Sequence, residues 1–252
     1  MSKAFAMVGV EATKLRRDPT EILSRAIQPA LWMLVFGQVM SHARAINTGR
    51  LPYLDFMAPG ILAQSVLFTS IFYGLSAIWE KDLGILHKYL VSPAPRSALV
   101  AGKALSAGMR GIIQSVFVYC LSLILSVHLD WNPIHLVGGL VAILLGAAFF
   151  STFSLIIACI VKSRERFMGI GQVMTMPLFF ASNAIYPIKM MPPWLQAISH
   201  MNPLTYQVDL LRSTMIVGGV NNFPIGLDLA VLLGSTVVAI VIAARLYPGL
   251  AQ

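Results

Sequence analysis

The side chains best suited to chemistry are scattered along this chain, and their spacing excludes most catalytic designs. Five histidines, His42, His87, His128, His135 and His200, never recur at i, i+4, so no helix face offers the paired imidazoles of a zinc site. The patterns H-E-x-x-H, G-x-S-x-G and G-x-x-x-x-G-K-[ST] do not occur in the sequence. Cys120 and Cys159 fall inside apolar runs without metal-ligand spacing. No catalytic residue, metal site or cofactor is therefore assigned to the chain, and any use of ATP needs a nucleotide site on another polypeptide. Two charged features remain. Arg110 interrupts an apolar run, with Lys103 and Gln114 on the same helical face. A charge at membrane depth costs at least about 2.5–3.5 kcal/mol on insertion scales, so Arg110 must face protein or water. It lines a cytoplasmic vestibule or meets an acidic substrate group, or else it packs or snorkels. The second feature is Glu80–Arg96, where Leu83, Leu86 and Leu90 share a helical face and Pro93 and Pro95 end it. That segment either connects two spans along the interface or offers a leucine face to a cytoplasmic groove.

The elements that position these groups follow from composition. Of 252 residues, 57% are hydrophobic and 11% charged, with a mean hydropathy of +0.77. Soluble domains carry roughly 25% charged residues, so this surface needs a bilayer. The fold expected is all-α, a polytopic membrane protein with six transmembrane helices. They lie near Ile22–Met40, Asp55–Trp79, Ala98–Val127, Pro133–Val161, Phe167–Tyr186 and Ile225–Leu246. The first is short: its uncharged part, Ala26–Met40, covers about 22 Å and must borrow Ile22 and Leu23 while Arg25 snorkels. Ala43-Arg44-Ala45 resembles a signal-peptidase site, but Glu11, Asp18 and Glu21 upstream are unlike a basic n-region.

Basic residues set the orientation. The net charge is +8, from 18 basic and 10 acidic residues. With the N-terminus inside, 13 Lys and Arg fall in cytoplasmic segments and 4 outside, so both termini face the cytoplasm. The basic excess thus reads as topology, and no nucleic-acid partner is needed. Residues 1–21 form an interfacial amphipathic helix on anionic lipid, with Phe5, Val8, Ala12 and Leu15 at helical spacing. Residues 187–222 are too apolar for a solvated loop and read as an outer re-entrant helix pair between spans five and six. Pro192-Pro193 opens its first helix, and the Asn202 cap followed by Pro203 opens its second. Leu204, Val208, Leu211 and Met215 share one face of that second helix, and Gly218-Gly219 stops it.

Several motifs then occur in a telling order: Phe56-Met57-Ala58-Pro59-Gly60-Ile61, Gly84, Leu90-Val91-Ser92-Pro93-Ala94-Pro95-Arg96, Gly102-Lys103, and Asn202-Pro203-Leu204-Thr205-Tyr206 with Asp209, Leu211 and Arg212 behind it. Together they resemble the ABC type-2 transporter permeases, notably the daunorubicin-resistance and nodulation-factor exporter branch. The resemblance implies one ABC type-2 transmembrane domain over 1–252: connecting helix 1–21, spans one to five over 22–186, re-entrant helices 187–222 and span six at 225–246. It implies a coupling helix at 80–91, with Glu80, Asp82, Leu83, Gly84, Leu86 and Leu90 meeting the ATPase. The substrate path would use Phe68, Phe72 and Tyr73 of the second span and Met174, Phe179, Phe180 and Asn183 of the fifth, with Arg110 beside it. Asn202, Pro203 and Tyr206 would mark the outer re-entrant motif.

The implied partners are two ABC ATP-binding subunits, which hold ATP and Mg, a second permease copy in a homodimer, and membrane lipid. The implied function is outward movement of an amphipathic substrate (drug, lipid or glycolipid-like) across the inner or plasma membrane. The alternative is an ion-gradient-driven secondary transporter, which usually carries intramembrane acids at broken helices. Asp55, Asp130, Asp209 and Asp228 read as lying near outer span ends, none of them central.

Overall fold

The computed structural model describes residues 26–44, 46–83, 96–161 and 163–247. The helix expected over 1–21, and Gly84, Leu86 and Leu90 of the expected coupling helix, lie outside the described residues. Eight helices are described: α1 over 26–43, α2 (Tyr53–Asp82), α3 (Arg96–Ile124), α4 (Pro133–Val161), α5 (Arg164–Phe180), α6 (Pro193–Met201), α7 (Pro203–Met215) and α8 (Ile225–Leu246). Their starts carry recognisable chemistry. Asp130 Oδ1 accepts from Asn132 N (2.8 Å), Asn132 Oδ1 accepts from Ile134 N (3.1 Å), and Pro133 opens α4 where a missing N–H costs nothing. Ser163 caps α5 through Arg166 N, and Asn202 caps α7 by accepting from Leu204 N at 3.0 Å.

Four described helices, rather than six, are long and apolar enough to cross a bilayer: α2, α3, α4 and α8. The first and fifth expected spans differ for physical reasons. In α1 the ladder widens into a π-helical stretch at Trp32–Gly37 before Gln38–Ala43 resumes α geometry. The fifth, α5, has 17 residues, about 26 Å against a ~30 Å hydrocarbon core. It stops at Phe180, not Tyr186, although the sequence stays apolar, because donors from elsewhere take its last carbonyls. Asn202 Nδ2 donates to Leu178 O (2.7 Å), Ser182 Oγ to Phe179 O (2.7 Å), Tyr186 OH to Phe180 O (2.6 Å) and Arg212 Nη2 to Asn183 O (2.7 Å). With Ala181 N donating to Pro177 O, the four orphan carbonyls of the helix end are met within the protein, and Arg212 holds the turn beyond it, as a broken helix in lipid requires.

The middle of the bundle is α4, packed against α2, α3, α5, α7 and α8. Small residues admit its neighbours. A Cβ added at Gly108 of α3 would stand 2.8 Å from Leu144, and one at Gly111 3.2 Å from Ile143, so the Ala104/Gly108 and Ala107/Gly111 pairs face α4 closely. On another side of α4, Gly138 and Gly139 receive Thr214 and Gly146 receives Gln207. Seven residues of α7 therefore run antiparallel to about seven of α4. Gly146 is thirteen residues into α4, about 20 Å along its axis. Helix α7 thus descends deep beside a spanning helix. The sequence gives it one apolar face, yet Leu204–Arg212, Thr214 and Met215 are all buried, because α2, α4 and α8 surround it.

Two ends of the bundle are latched differently. At one, Asp55 of α2 meets His128 of the α3–α4 loop at 2.8 Å. That loop joins the end of α7 through an antiparallel bridge, Leu129 to Ile216, with Asp130 N donating to Met215 O and Val217 N to His128 O. At the other, Glu80 of α2 holds Lys103 of α3, and Asp82 holds Arg164 of α5.

Candidate functional site

A cavity of about 300 Å³ opens between α1 and α2, lined by Gln28, Pro29, Gln64, Ser65, Phe68, Thr69 and Phe72. The α2 residues recur at four-residue steps, so one stripe of the helix builds the wall. Phe68 and Phe72 stack, centroids 6.3 Å apart at 28°. Opposite in character is Gln64, buried, with an amide Nε2 that has no protein acceptor. The cavity pairs an aromatic floor with a donor and two hydroxyls. That combination suits a ring-bearing amphiphile with polar substituents.

Of the path residues expected from sequence, Phe68 and Phe72 line this cavity and the others are dispersed. Phe179 is buried against Trp32 of α1 (5.5 Å, 71°), and Phe180 also packs on Trp32 at 6.4 Å. Met174 joins a separate apolar cluster with Ile78, Ile157 and Phe167. Asn183 is in the turn after α5, buried, and donates from Nδ2 to Asp209. Arg110 is half-buried on α3 and does not line the cavity. The side chain of Tyr73 lies outside the described residues. Sequence reasoning missed Gln28, Gln64, Ser65 and Thr69. The signal was present as polar residues on the Phe68/Phe72 face of an apolar span. Trp32, which gathers Phe179 and Phe180 of α5, left no such signal.

The outer motif residues sit in a buried polar network. Asn202 both caps α7 and ties it to α5 through Leu178 O, while Pro203 supplies the first turn of α7. Tyr206 donates to His200 O (2.6 Å) and packs on Phe223 (5.1 Å), joining α6, α7 and the start of α8. Asp209 accepts from Asn183 Nδ2, Asn222 N, Asn222 Nδ2 and Phe223 N. Arg212, also buried, reaches Phe56 O through Nε and Nη2, and its guanidinium lies 3.8 Å from the Phe56 ring centroid. One arginine thereby ties α7 to the head of α2 and to the end of α5. Its neighbour in that contact is Gly60, where a Cβ would stand 2.5 Å from Ala184 O.

At the opposite end the acids expected to meet an ATPase rim have partners within the chain. Glu80 accepts from Lys103 Nζ at 2.8 and 2.7 Å, and that pair is largely buried. Asp82 holds Arg164 Nη2 at 2.6 Å, and the same guanidinium lies over Trp79. Leu83 stands uncovered at the end of α2. The pairs tie the end of α2 to α3 and α5.

Comparison with known proteins places this architecture. The profile described as ABC-2 type transporter matches residues 3–216. Similar curated proteins include the putative transport permease ycf38 of Cyanophora paradoxa, 29% identical over 214 residues, 84% of this chain and 73% of that protein. The daunorubicin resistance ABC transporter permease protein DrrB1 of Streptomyces coeruleorubidus is 25% identical over 229 residues, covering 91% and 80%. The inner membrane transport permease YadH of Escherichia coli (strain K12) is 24% identical over 208 residues, covering 79% and 76%. The matched span takes in every helix from α1 to α7, with the cavity, both ion pairs and the polar network apart from Asn222 and Phe223, and the chain belongs to the ABC-2 type transporter family.

Proposed function

We propose that the chain is the permease subunit of an ABC exporter. It moves an amphipathic substrate (drug, lipid or glycolipid-like) outwards, driven by ATP hydrolysis in a separate nucleotide-binding subunit. The cavity between α1 and α2 carries this reading: in a multi-pass chain of this family, it offers stacked aromatic rings beside an unanswered amide donor. The name of the relative DrrB1 supports a drug-like substrate. In this reading α1 and α5 complete six spans. Ile27, Leu31, Leu34 and Val35 of α1 and Met168, Val173 and Met176 of α5 face outward from the chain, as lipid or a second permease copy requires. The assembly is a homodimer with two ATP-binding subunits, which hold ATP and Mg, in the inner or plasma membrane with both termini cytoplasmic. Residues 80–91 are the coupling helix and 187–222 the outer re-entrant pair, whose second helix runs deep along α4.

Purification of the native complex through a tag on this chain tests the reading. ATP-binding subunits should co-purify in stoichiometric amount, and export of a fluorescent amphiphile from cells should stop on ATP depletion. Export that persists without ATP while an ion gradient is intact would favour the gradient-driven carrier instead. Gln64→Leu should alter which amphiphiles compete for export while leaving the ATP-binding subunits bound.

A further inference from the structure

The wall of the α1–α2 cavity sits at membrane depth. Gln64 to Phe72 lie about 17–29 Å from the start of α2, a helix about 45 Å long. None of the seven lining residues bears a charge. Residues 56–79 of α2 and 26–41 of α1 contain no Asp, Glu, Lys, Arg or His. An ion held there would lack both full hydration and a counter-charge from the lining. One hydrogen-bonding demand is nevertheless unmet. Gln64 is 2% exposed and its Nε2 has no acceptor, whereas the Ser65 hydroxyl is spent on Ile61 O at 2.8 Å. A buried donor left unmet is costly, so a ligand that brings an acceptor is favoured over one that does not.

A second hollow begins where the first ends. Ile27, Gln28, Leu31, Trp32, Val35 and Phe36 of α1 line an open groove of about 500 Å³, apolar apart from Gln28. Gln28 lines both spaces, so the cavity and the groove adjoin at this residue. From Ile27 to Phe36 the groove follows about 13 Å of helix, towards Gly37, which faces Leu54 and Met57 of α2. Its far half coincides with the π-helical stretch Trp32–Gly37, a widening that often marks functional sites. Trp32 is braced by Phe179 at 5.5 Å, while Ile27, Leu31 and Val35 remain more than half exposed.

We propose that the ligand of this double site is an uncharged amphiphile of two parts: a planar ring with a carbonyl acceptor for Gln64 Nε2, resting on the Phe68/Phe72 floor, and a hydrocarbon chain laid in the α1 groove. This ligand class rests on the reading of the cavity as the substrate site and narrows it. Phospholipids, and drugs whose ring carries a fixed charge, do not match an uncharged lining at this depth. Continuity with the cavity assigns the groove to the ligand's chain rather than to bilayer lipid or a second copy.

Competition binding to the full-length chain in nanodiscs of neutral lipid tests this, with a radiolabelled decyl-anthraquinone as the probe and affinities referred to its concentration in the lipid. The competitors are decyl-anthracene, which lacks the carbonyls, methyl-anthraquinone, which lacks the chain, and decyl-anthraquinones carrying a trimethylammonium or a sulfonate on the ring. Each should compete at least about tenfold more weakly than the unlabelled parent. Gln64→Leu, or Gln64→Met should the first fail to fold, should bring the anthraquinone down to the anthracene. Val35→Trp, which fills the groove from an exposed position, should bring the decyl compound down to the methyl one. Equal or tighter binding of either charged competitor overturns the proposal; the sulfonate is the one that Arg25, ahead of α1 and outside the described residues, would favour. So does a preference for anthraquinone over anthracene that survives loss of the Gln64 amide. A gain from chain length that survives Val35→Trp overturns it too, and leaves the groove to bilayer lipid or a second copy. Absence of saturable probe binding also overturns it. The exporter reading outlives any of these results if Gln28→Trp still alters export of a fluorescent amphiphile by the intact complex, and its cavity assignment falls with them if Gln28→Trp alters nothing.

Discussion

Single side chains at the α7 end carry several elements at once, and their removal should show it. Asn202 closes α6, caps α7 and satisfies Leu178 O of α5. Replacing an Asn cap costs about 0.5–2 kcal/mol. Asn202→Ala also strands the part-buried Leu178 carbonyl, which adds up to about 1–3 kcal/mol. The prediction is a total near the top of that combined range, read as thermal destabilisation with faster proteolysis between α5 and α7. A loss below about 0.5 kcal/mol would mean that the Leu178 contact contributes nothing. Asp130 gives a milder, pH-dependent case outside the spans. The Asn132 N–H, then the His135 ring, hold its carboxyl below the usual range. A depressed carboxyl stabilises the fold above its unfolded value, and that contribution fades as pH falls through the folded value. Acidification should therefore loosen the α3–α4 loop, seen as exchange broadening of Trp131, and Asp130→Asn should remove the acid dependence. Asn132-Pro133 carries an Asn-Pro signal that was not read; the Asn202 cap was visible in sequence as the same signal. The bond from Asn202 to α5 was not, because it joins residues 24 positions apart that only the fold brings together.

Helices show where sequence reading succeeds and where it stops. Long apolar runs located α2, α3, α4 and α8 to within a few residues, because hydropathy over twenty residues is a strong signal. The end of α5 was invisible: Ala181, Ala184 and Ile185 continue the apolar pattern, and the break depends on donors from Asn202, Ser182, Tyr186 and Arg212. The depth of α7 was half-visible, since Gly138, Gly139 and Gly146 mark a groove on α4 but do not say what fills it. The same small-residue logic yields a test. A Cβ at Gly60 would fall 2.5–2.8 Å from the backbone and Cβ of Ala184, which cannot swing aside as a long side chain could. Gly60→Ala should therefore push the turn after α5 off α2, costing about 1–3 kcal/mol as overpacking does. The comparison is Gly234→Ala on α8, where nothing stands within 4 Å and the gain in helix propensity should stabilise slightly. Equal melting behaviour of the two variants would contradict the close approach of α2 to the 181–185 turn.

Across the whole molecule, the proposed exporter would gate at one end and couple to ATP at the other. At the Glu80 end the acids are engaged within the chain, so in that proposal docking of a motor subunit would fall to the leucines. The buried Glu80–Lys103 pair and the half-exposed Asp82–Arg164 pair should differ sharply in strength. Removing one partner of a buried pair costs about 3–5 kcal/mol, whereas an exposed pair is worth about 0–1 kcal/mol. Glu80→Gln should therefore destabilise the chain clearly and Asp82→Asn barely, by thermal unfolding in detergent. Asp82→Asn should still weaken the tie between the segment after α2 and the start of α5, and so lower export per ATP hydrolysed. Burial of one leucine contributes about 1.5–3 kcal/mol, more than any rim charge left free. Leu83 is uncovered at the end of α2, ready for such a contact. Leu86 shares its helical face in sequence and lies outside the described residues. Leu86→Asp should leave the chain inserted and folded, because no hydrocarbon-core residue is touched, yet it should abolish recruitment of the ATP-binding subunit or uncouple hydrolysis from export. Cysteines at Lys189 and Asn221 should label from outside intact cells while one at Lys88 does not, placing the leucine face on the side where ATP is found. Wild-type export and co-purification in Leu86→Asp, or external labelling at Lys88, would remove this segment from the drive of the transporter.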